Sequence, residues 1–391
     1  MIDFYNEAKK QFNRMMYVRR EMHKNPEIDR NLPFTTELVC SQLNELGISY
    51  KRFDNSGIIA EIGNDRSKIV ALRSDMDALE INDLKETSYK SLRNGYMHAC
   101  GHDAHTAIQI GAAAVLKSIE DHLNGTVRLI FQPAEETDGG ARDMIELGAL
   151  NGVEAIIGLH MDETISTGTV GIKRGVVHAA SNPFKIEIKG KGCHGAHPYD
   201  GIDSIYIAAK VIDNLQGIIS REVRAVDNAV ITIGKISGGT APNAVSSQVI
   251  MEGILRTLGN DLRSFCKERI KDIVESTAKM YRGNASVEFI EGYPSFSNDE
   301  MLYCWFKDVT SKMKEIDVID VPYPSMGVED FAYYTEVVPG LYYKLGCRNE
   351  VKGICNPAHG SYFDIDEDSL ILGCLIQSKI AYDFLDKLSA K

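Results

Sequence analysis

Apolar positions in the first part of the chain fall alternately into helical spacing and short continuous runs. Residues 4–24 carry a helical pattern that ends in Arg19-Arg20-Glu21-Met22-His23, and Asn25-Pro26-Glu27 breaks it. Thr35 to Leu46 repeats the spacing, with Gly47 placed to cap it. Gly57 to Ile62 alternates weakly. Ile69-Val70-Ala71-Leu72 is continuously apolar, as a strand buried on both faces should be, and runs into Arg73-Ser74-Asp75-Met76-Asp77. An alanine-rich helix is expected over Ala104–Leu116. A strand follows over Thr126–Phe131, then Gln132-Pro133-Ala134-Glu135-Glu136, a helix over Gly139–Leu147, and a strand over Glu154–Leu159 that ends at His160. Strands alternating with helices argue for an α/β fold, a largely parallel sheet with helices on both faces.

From about Asn182 the pattern changes. Phe184-Lys185-Ile186-Glu187-Ile188 alternates cleanly, as a half-exposed antiparallel strand does. A helix over Asp203–Ser220 follows, then strands over Val230–Ile236 and Ser246–Leu255 separated by Gly238-Gly239. A helix over Leu262–Met280 and a strand over Ser286–Ile290 close the set. Strand, helix, strand, strand, helix, strand is the ferredoxin-like split order, at the length of a compact insertion. Mixed α/β character returns from about Tyr293, and a last helix covers roughly Asp368–Leu388. The expected organisation is therefore a discontinuous domain, 1–181 with 293–391, interrupted by a smaller one, 182–292.

With 391 residues the chain has room for two cores. A formal charge of −12 with no basic block argues against nucleic acid and anionic membranes as partners. No apolar run approaches the ~20 residues that span a bilayer. The opening residues Met1 to Glu7 show no basic stretch followed by an apolar one, so no secretory signal is expected. The eight cysteines are scattered, and reduced thiols in a cytoplasm are the expectation.

The chemistry concentrates in His98-Ala99-Cys100-Gly101-His102-Asp103-Ala104-His105-Thr106. Imidazole and thiolate are ligands for zinc and its neighbours, and Cys100 and His102 are spaced to reach one ion. Asp75, Glu135, Glu136 and His160 fall at or just past the carboxyl ends of expected strands, the edge where open α/β sheets bind ligands. His359 lies in the turn Asn356-Pro357-Ala358-His359-Gly360, a candidate for a last ligand. In the pair Glu135-Glu136, one carboxylate is available to bind metal while the other remains a general base.

These residues carry a family resemblance over nearly the whole length. Arg73-Ser-Asp75-Met-Asp77-Ala-Leu, His98-Ala-Cys-Gly-His-Asp-Ala-His-Thr106, Phe131-Gln-Pro-Ala-Glu-Glu136 and Gly158-Leu-His160 occur in order. Gly190-Lys-Gly-Cys-His-Gly-Ala-His197, Gly238-Gly-Thr-Ala-Pro-Asn243 and Met326-Gly-Val-Glu-Asp-Phe331 follow. The chain resembles the M20 metallopeptidase superfamily, in particular its amidohydrolase branch of auxin-conjugate, hippurate and N-acyl-amino-acid hydrolases. The resemblance implies a phosphorylase/hydrolase-like zinc-peptidase catalytic domain with an inserted ferredoxin-like α+β lid that also dimerises. It implies two divalent ions per subunit, Mn2+ or Zn2+ foremost and Co2+ or Ni2+ next. Cys100, His102, Glu136, His160 and His359 would ligate them, with the thiolate bridging. By the same resemblance Glu135 is the general base, and Asp75 orients a ligand or buttresses the metal loop. Asp103 and His105 support that loop. His194 helps stabilise the oxyanion, reaching across from a partner subunit, and Asn243 and Arg256 hold the substrate carboxylate. The implied reaction splits an N-acyl amino acid into a carboxylic acid and an amino acid; an aminopeptidase or dipeptidase of the same superfamily is the alternative. The chain departs from the family pattern at Cys193, at Asn243-Ala244-Val245-Ser246 and at Gly360, positions that bear on specificity more than on metal binding.

Overall fold

The computed structural model describes residues 2–137 and 139–389. It divides into two compact units, the second comprising Val176–Phe296 and Pro324–Ala332. The division falls a few residues outside the boundaries read from the sequence, and it transfers Pro324–Ala332 to the inserted unit. Backbone contacts explain the transfer: Ser325 N–H donates to Val177 O at 2.8 Å, and Ala179 N–H donates to Ser325 O at 3.0 Å.

The first unit is built on an eight-stranded sheet. From edge to edge its strands are Tyr50–Arg52, Ile58–Ile62, Thr126–Gln132, Ile69–Asp75, Val153–Ser166, Gly340–Arg348, Thr169–Ile172 and Asp317–Asp320. The four central strands, Thr126–Gln132 through Gly340–Arg348, pair in parallel. Every residue of Ile69–Asp75 is buried, which is why its first four, Ile69–Leu72, read as an unbroken apolar run. The helix His102–Ser118 is buried from His102 through Leu116 and packs against the helices Phe12–Lys24 and Asp368–Ser389. Met15, Val18, Met22, Ile108, Leu129 and Leu375 share its core.

Two local expectations are corrected. The first helix is two, Phe4–Lys10 and Phe12–Lys24, joined at Gln11; its apolar spacing continues through the break, so the pattern does not reveal it. His160 does not end its strand, which runs on to Ser166. Pairing with Ile69–Asp75 stops where Arg73 meets Gly158, but pairing with Gly340–Arg348 continues through His160 opposite Lys344. His160 is thus level with the end of the neighbouring strand while its own strand continues.

The second unit holds a four-stranded antiparallel sheet in the order Ala229–Gly238, Gln248–Thr257, Ala180–Lys189, Asn284–Phe289. This is the ferredoxin-like order. Phe184, Ile186 and Ile188 are buried while Lys185 and Lys189 are exposed, the alternation of a sheet covered on one face. The helices Ser204–Gly217 and Asn260–Met280 share that core through Val211, Leu215, Ile270 and Val274. The first of them ends short of the expected Ser220, continuing as a wider π turn over Ile218–Glu222. Among the described residues no helix is long and apolar enough to cross a membrane.

Candidate metal centre

Five stretches of the first unit converge at the carboxyl rim of its central strands. Ile69–Asp75 ends in Asp75, and Asp77 lies two residues on. Gly101 opens the helix that begins with His102; its φ is +92° and an added Cβ would meet Met161 Cβ at 3.0 Å, so the position favours glycine. The turn after Gln132 passes through Ala134 (φ +57°) to Glu135 and Glu136. His160 comes from the long central strand. His359 has φ +60°, a conformation that is costly for a side-chain-bearing residue, and its N–H donates to Ala99 O at 2.8 Å.

The side-chain donors meet closely. Cys100 Sγ lies 3.4 Å from His160 Nε2 and 3.4 Å from His359 Nε2. Glu136 Oε1 lies 3.4 Å from His359 Nε2 and 3.8 Å from His102 Nε2. Among the described residues, two of the groups with the mutual spacing of metal ligands are Cys100 with His102 and His160, and Cys100 with Glu136 and His359. Cys100 belongs to both. Glu135 groups with His102 and Glu136, and Asp75 with His102 and His105.

Hydrogen bonds decide which atoms are available. His160 Nδ1 lies 2.6 Å from Met161 O, so it carries the proton and leaves the Nε2 lone pair facing Cys100. Met161 N–H donates to His105 Nε2 at 2.8 Å, so His105 carries its proton on Nδ1 and donates it to Asp75 Oδ1 at 2.6 Å. Both nitrogens of His105 are therefore engaged, and Asp75 is held from that side and by Arg73. Asp77, which the sequence reading did not single out, accepts the N–H groups of Glu135 and Glu136, each at 3.0 Å. This fork fixes the carboxylate pair. Its signal was present in the spacing Asp75-Met76-Asp77, one further acid on the same rim.

The centre is short of positive charge. Among the described residues, both ring nitrogens of His102 and Oε1 of Glu136 are buried without a hydrogen bond. Leaving such a group unsatisfied costs about 1–3 kcal/mol. Burial disfavours a proton on His102, yet the charges of Asp75, Asp77 and Glu136 prevail and push its pKa up to about 10. Burial, with Glu136, Glu135 and Asp75 adding to it, holds the Cys100 thiol well above its usual range. Glu136 is held low against burial by His359 and His102. Divalent cations would answer all of these demands, taking up imidazole lone pairs and the orphaned oxygen and favouring the thiolate. The residues present fit a metal centre.

The remaining sequence candidates lie in the second unit. His194 is exposed in the short strand Cys193–His194, which pairs with Ala244–Val245. Ala196 N–H donates to His194 Nδ1 at 3.1 Å, so the ring presents Nε2–H outward. Asn243 is its neighbour, its carbonyl accepting Gly195 N–H at 2.7 Å. Arg256 is elsewhere. Gln248 pairs with Lys189 at the end of the sheet near His194, and Arg256 pairs with Ser181 at the other; at about 3.3 Å per residue these ends are about 26 Å apart. Among the described residues Arg256 has no carboxylate partner; its Nη1 donates to Met326 O at 3.3 Å. Burial pulls its pKa down, with no acid opposing.

Comparisons with known proteins complete the picture. The family model described as Peptidase family M20/M25/M40 matches residues 71–383. The N-acetyl-L-cysteine deacetylase of Bacillus subtilis is 39% identical over 94% of this chain and 88% of its own length. The Arabidopsis thaliana IAA-amino acid hydrolase ILR1-like 4 is 38% identical over 97% and 87%. A solved Bacillus subtilis structure, described as a dinuclear metal binding peptidase from the M20 family, matches 97% of this chain and 99% of its own, with a TM-score of 0.86 and 33% identity. The chain belongs to the M20/M25/M40 peptidase family and is a metal-binding hydrolase of amide bonds.

Proposed function

We propose that the protein is a metal-dependent amidohydrolase that cleaves N-acyl amino acids into a carboxylic acid and an amino acid. The observation that carries this reading is the pair of donor groups sharing Cys100, with Glu135 beside them and not needed by either. Cys100, His102 and His160 would hold one ion, and Cys100, Glu136 and His359 the other. Thiolate, imidazole and carboxylate together suit Zn2+ or Mn2+, and also Co2+ or Ni2+. Bound there, the ions supply an acidified water and a polarised carbonyl. Glu135 takes a proton from the attacking water and returns it to the leaving amine nitrogen, so one water is consumed per amide bond. Asp77 aims Glu135 by gripping its backbone N–H. Asp75, held by His105 and Arg73 and accepting the Thr106 hydroxyl on its backbone carbonyl, would buttress the metal loop.

The curated relatives named above act on acylated amino acids, and both leave a free carboxylate on the substrate. A half-buried arginine with no acidic partner among the described residues suits that group, because a guanidinium forks onto a carboxylate. Arg256→Ala is expected to raise KM for an N-acyl amino acid about ten- to hundredfold, the worth of a charge-assisted hydrogen bond. KM for the corresponding N-acyl amino acid amide should hardly move; equal losses on both substrates would remove Arg256 from the carboxylate site. The peptidase alternative draws on the solved relative's description and differs only in tolerating a free α-amino group.

His194 presents Nε2–H, a donor suited to the tetrahedral oxyanion. Because one small substrate cannot span the distance from Arg256 to His194 within one second unit, His194 and Asn243 would serve the site of a partner subunit. The open edge strand Ala229–Gly238, with Val230 and Ile236 exposed, supports a homodimer through this lid. Co-expressed His194→Ala and Glu135→Gln chains should regain activity that neither has alone, since one mixed site then holds both residues. No regain in a mixed dimer contradicts the shared site. The eight unpaired cysteines suit a reducing cytoplasm.

A further inference from the structure

Behind the metal centre, in the same unit, lies a buried cluster of charge that the reaction above does not use. The helix Phe12–Lys24 turns Arg19 and His23 inward, each 1% exposed. Asp103, next to His102, is equally buried. Its Oδ2 lies 2.7 Å from His23 Nδ1 and 3.4 Å from Arg19 Nε. His23 Nε2 faces Lys85 Nζ at 3.0 Å and Asp83 Oδ2 at 3.3 Å. Lys85 Nζ donates to Phe363 O at 2.6 Å. Arg19 reaches Asp364 and, at 2.9 Å, Glu367. Tyr89 closes the ring by donating to Asp364 Oδ2 at 2.7 Å.

The cluster ties together two segments that must meet at the metal centre and are distant in sequence. Asp103 belongs to the helix that starts with His102. Phe363 to Glu367 follow the His359 turn, and Leu84 N–H also holds Ser361 O at 3.0 Å. Stability alone is a poor reason for such an arrangement. Buried ion pairs gain little over well-packed apolar residues, because desolvation offsets their attraction. Placement is a better one, since metal donors must be held to a fraction of an ångström and outer contacts commonly do this.

We propose that His23 is a positioning residue for the metal centre: paired with Asp103, it fixes the start of the His102 helix relative to the His359 turn, so that the donors of both groups are preassembled. The proposal rests on the metal-centre reading above. Its test uses the full chain, stripped of metal and titrated calorimetrically with Mn2+ or Zn2+. Wild type, His23→Gln, Asp103→Asn and the apolar double variant His23→Met/Asp103→Leu are compared, and the melting temperature of each metal-free protein is measured. The single variants should bind about 10- to 100-fold more weakly. The double variant removes Asp103 together with its imidazole partner and leaves Arg19 on Asp364 and Glu367, so it should melt closer to wild type than Asp103→Asn, yet still bind weakly. Wild-type affinity in the single variants overturns the proposal. So does a double variant that recovers affinity together with stability, because the pair is then merely structural. Should the single variants fail to fold, the double variant carries the test alone. A wild-type protein that binds no ion removes the metal-centre reading itself and the proposal with it, a result visible in the first titration.

Discussion

Glu135→Gln is expected to lower turnover about 100- to 10,000-fold, the usual worth of a positioned general base, with metal content unchanged. Glutamine keeps the size of the side chain and the backbone N–H that Asp77 accepts at 3.0 Å. It removes only the capacity to take a proton. Glu136 cannot substitute, because its Oε1 faces His102 and His359 and its own N–H is gripped by the other oxygen of Asp77. Steady-state kinetics with elemental analysis of the same preparation separates the two effects. Activity within tenfold of wild type would remove Glu135 as the base; loss of metal would make it a ligand.

Cys100→Ala should have the widest effect on metal binding, because its sulfur belongs to both donor groups. Removing His160 or Glu136 strips one group and leaves the other its thiolate. Removing Cys100 leaves each group one donor short. Its affinity loss should exceed the roughly 10- to 100-fold typical of outer contacts. Elemental analysis after dialysis should show Cys100→Ala lower in metal than either His160→Ala or Glu136→Ala. Wild-type stoichiometry in the alanine variant would rule out a bridging thiolate. The substitution costs the fold little by itself, since the thiol is small and its hydrogen-bond partners are the other candidate ligands.

The parts of this site that are legible in the sequence are those set by local chemistry. Ile69–Leu72 reads as a buried strand because both its faces are covered, and Asp75 follows at its end. Cys100 and His102, or Glu135 and Glu136, are close in space because they are close in the chain. The Pro- and Gly-containing turn around His359 is visible as a turn, but its partner Cys100 is a long-range contact that no local pattern encodes. The continuation of the His160 strand is hidden for the same reason: it depends on Gly340–Arg348 as a neighbour. In the sequence Asp77 is one more acid after a strand, and only the two N–H groups it accepts reveal its role. His23 reads as the polar end of a helix; its burial is decided by Asp103 and Lys85, which arrive from elsewhere in the chain. The separation of Arg256 from His194 follows from antiparallel pairing, which places residues close to the Gln248 turn at one end of the sheet and Arg256 at the other.

The most direct test of the account is amino-acid release by metal-stripped protein, before and after Mn2+ or Zn2+ is restored, from a panel of N-acyl amino acids and unblocked dipeptides. The account predicts no release without the ion, and after its return release from the N-acyl amino acids well above that from the dipeptides. Cleavage of the dipeptides in preference to the acylated substrates, or full activity without any ion, would contradict it.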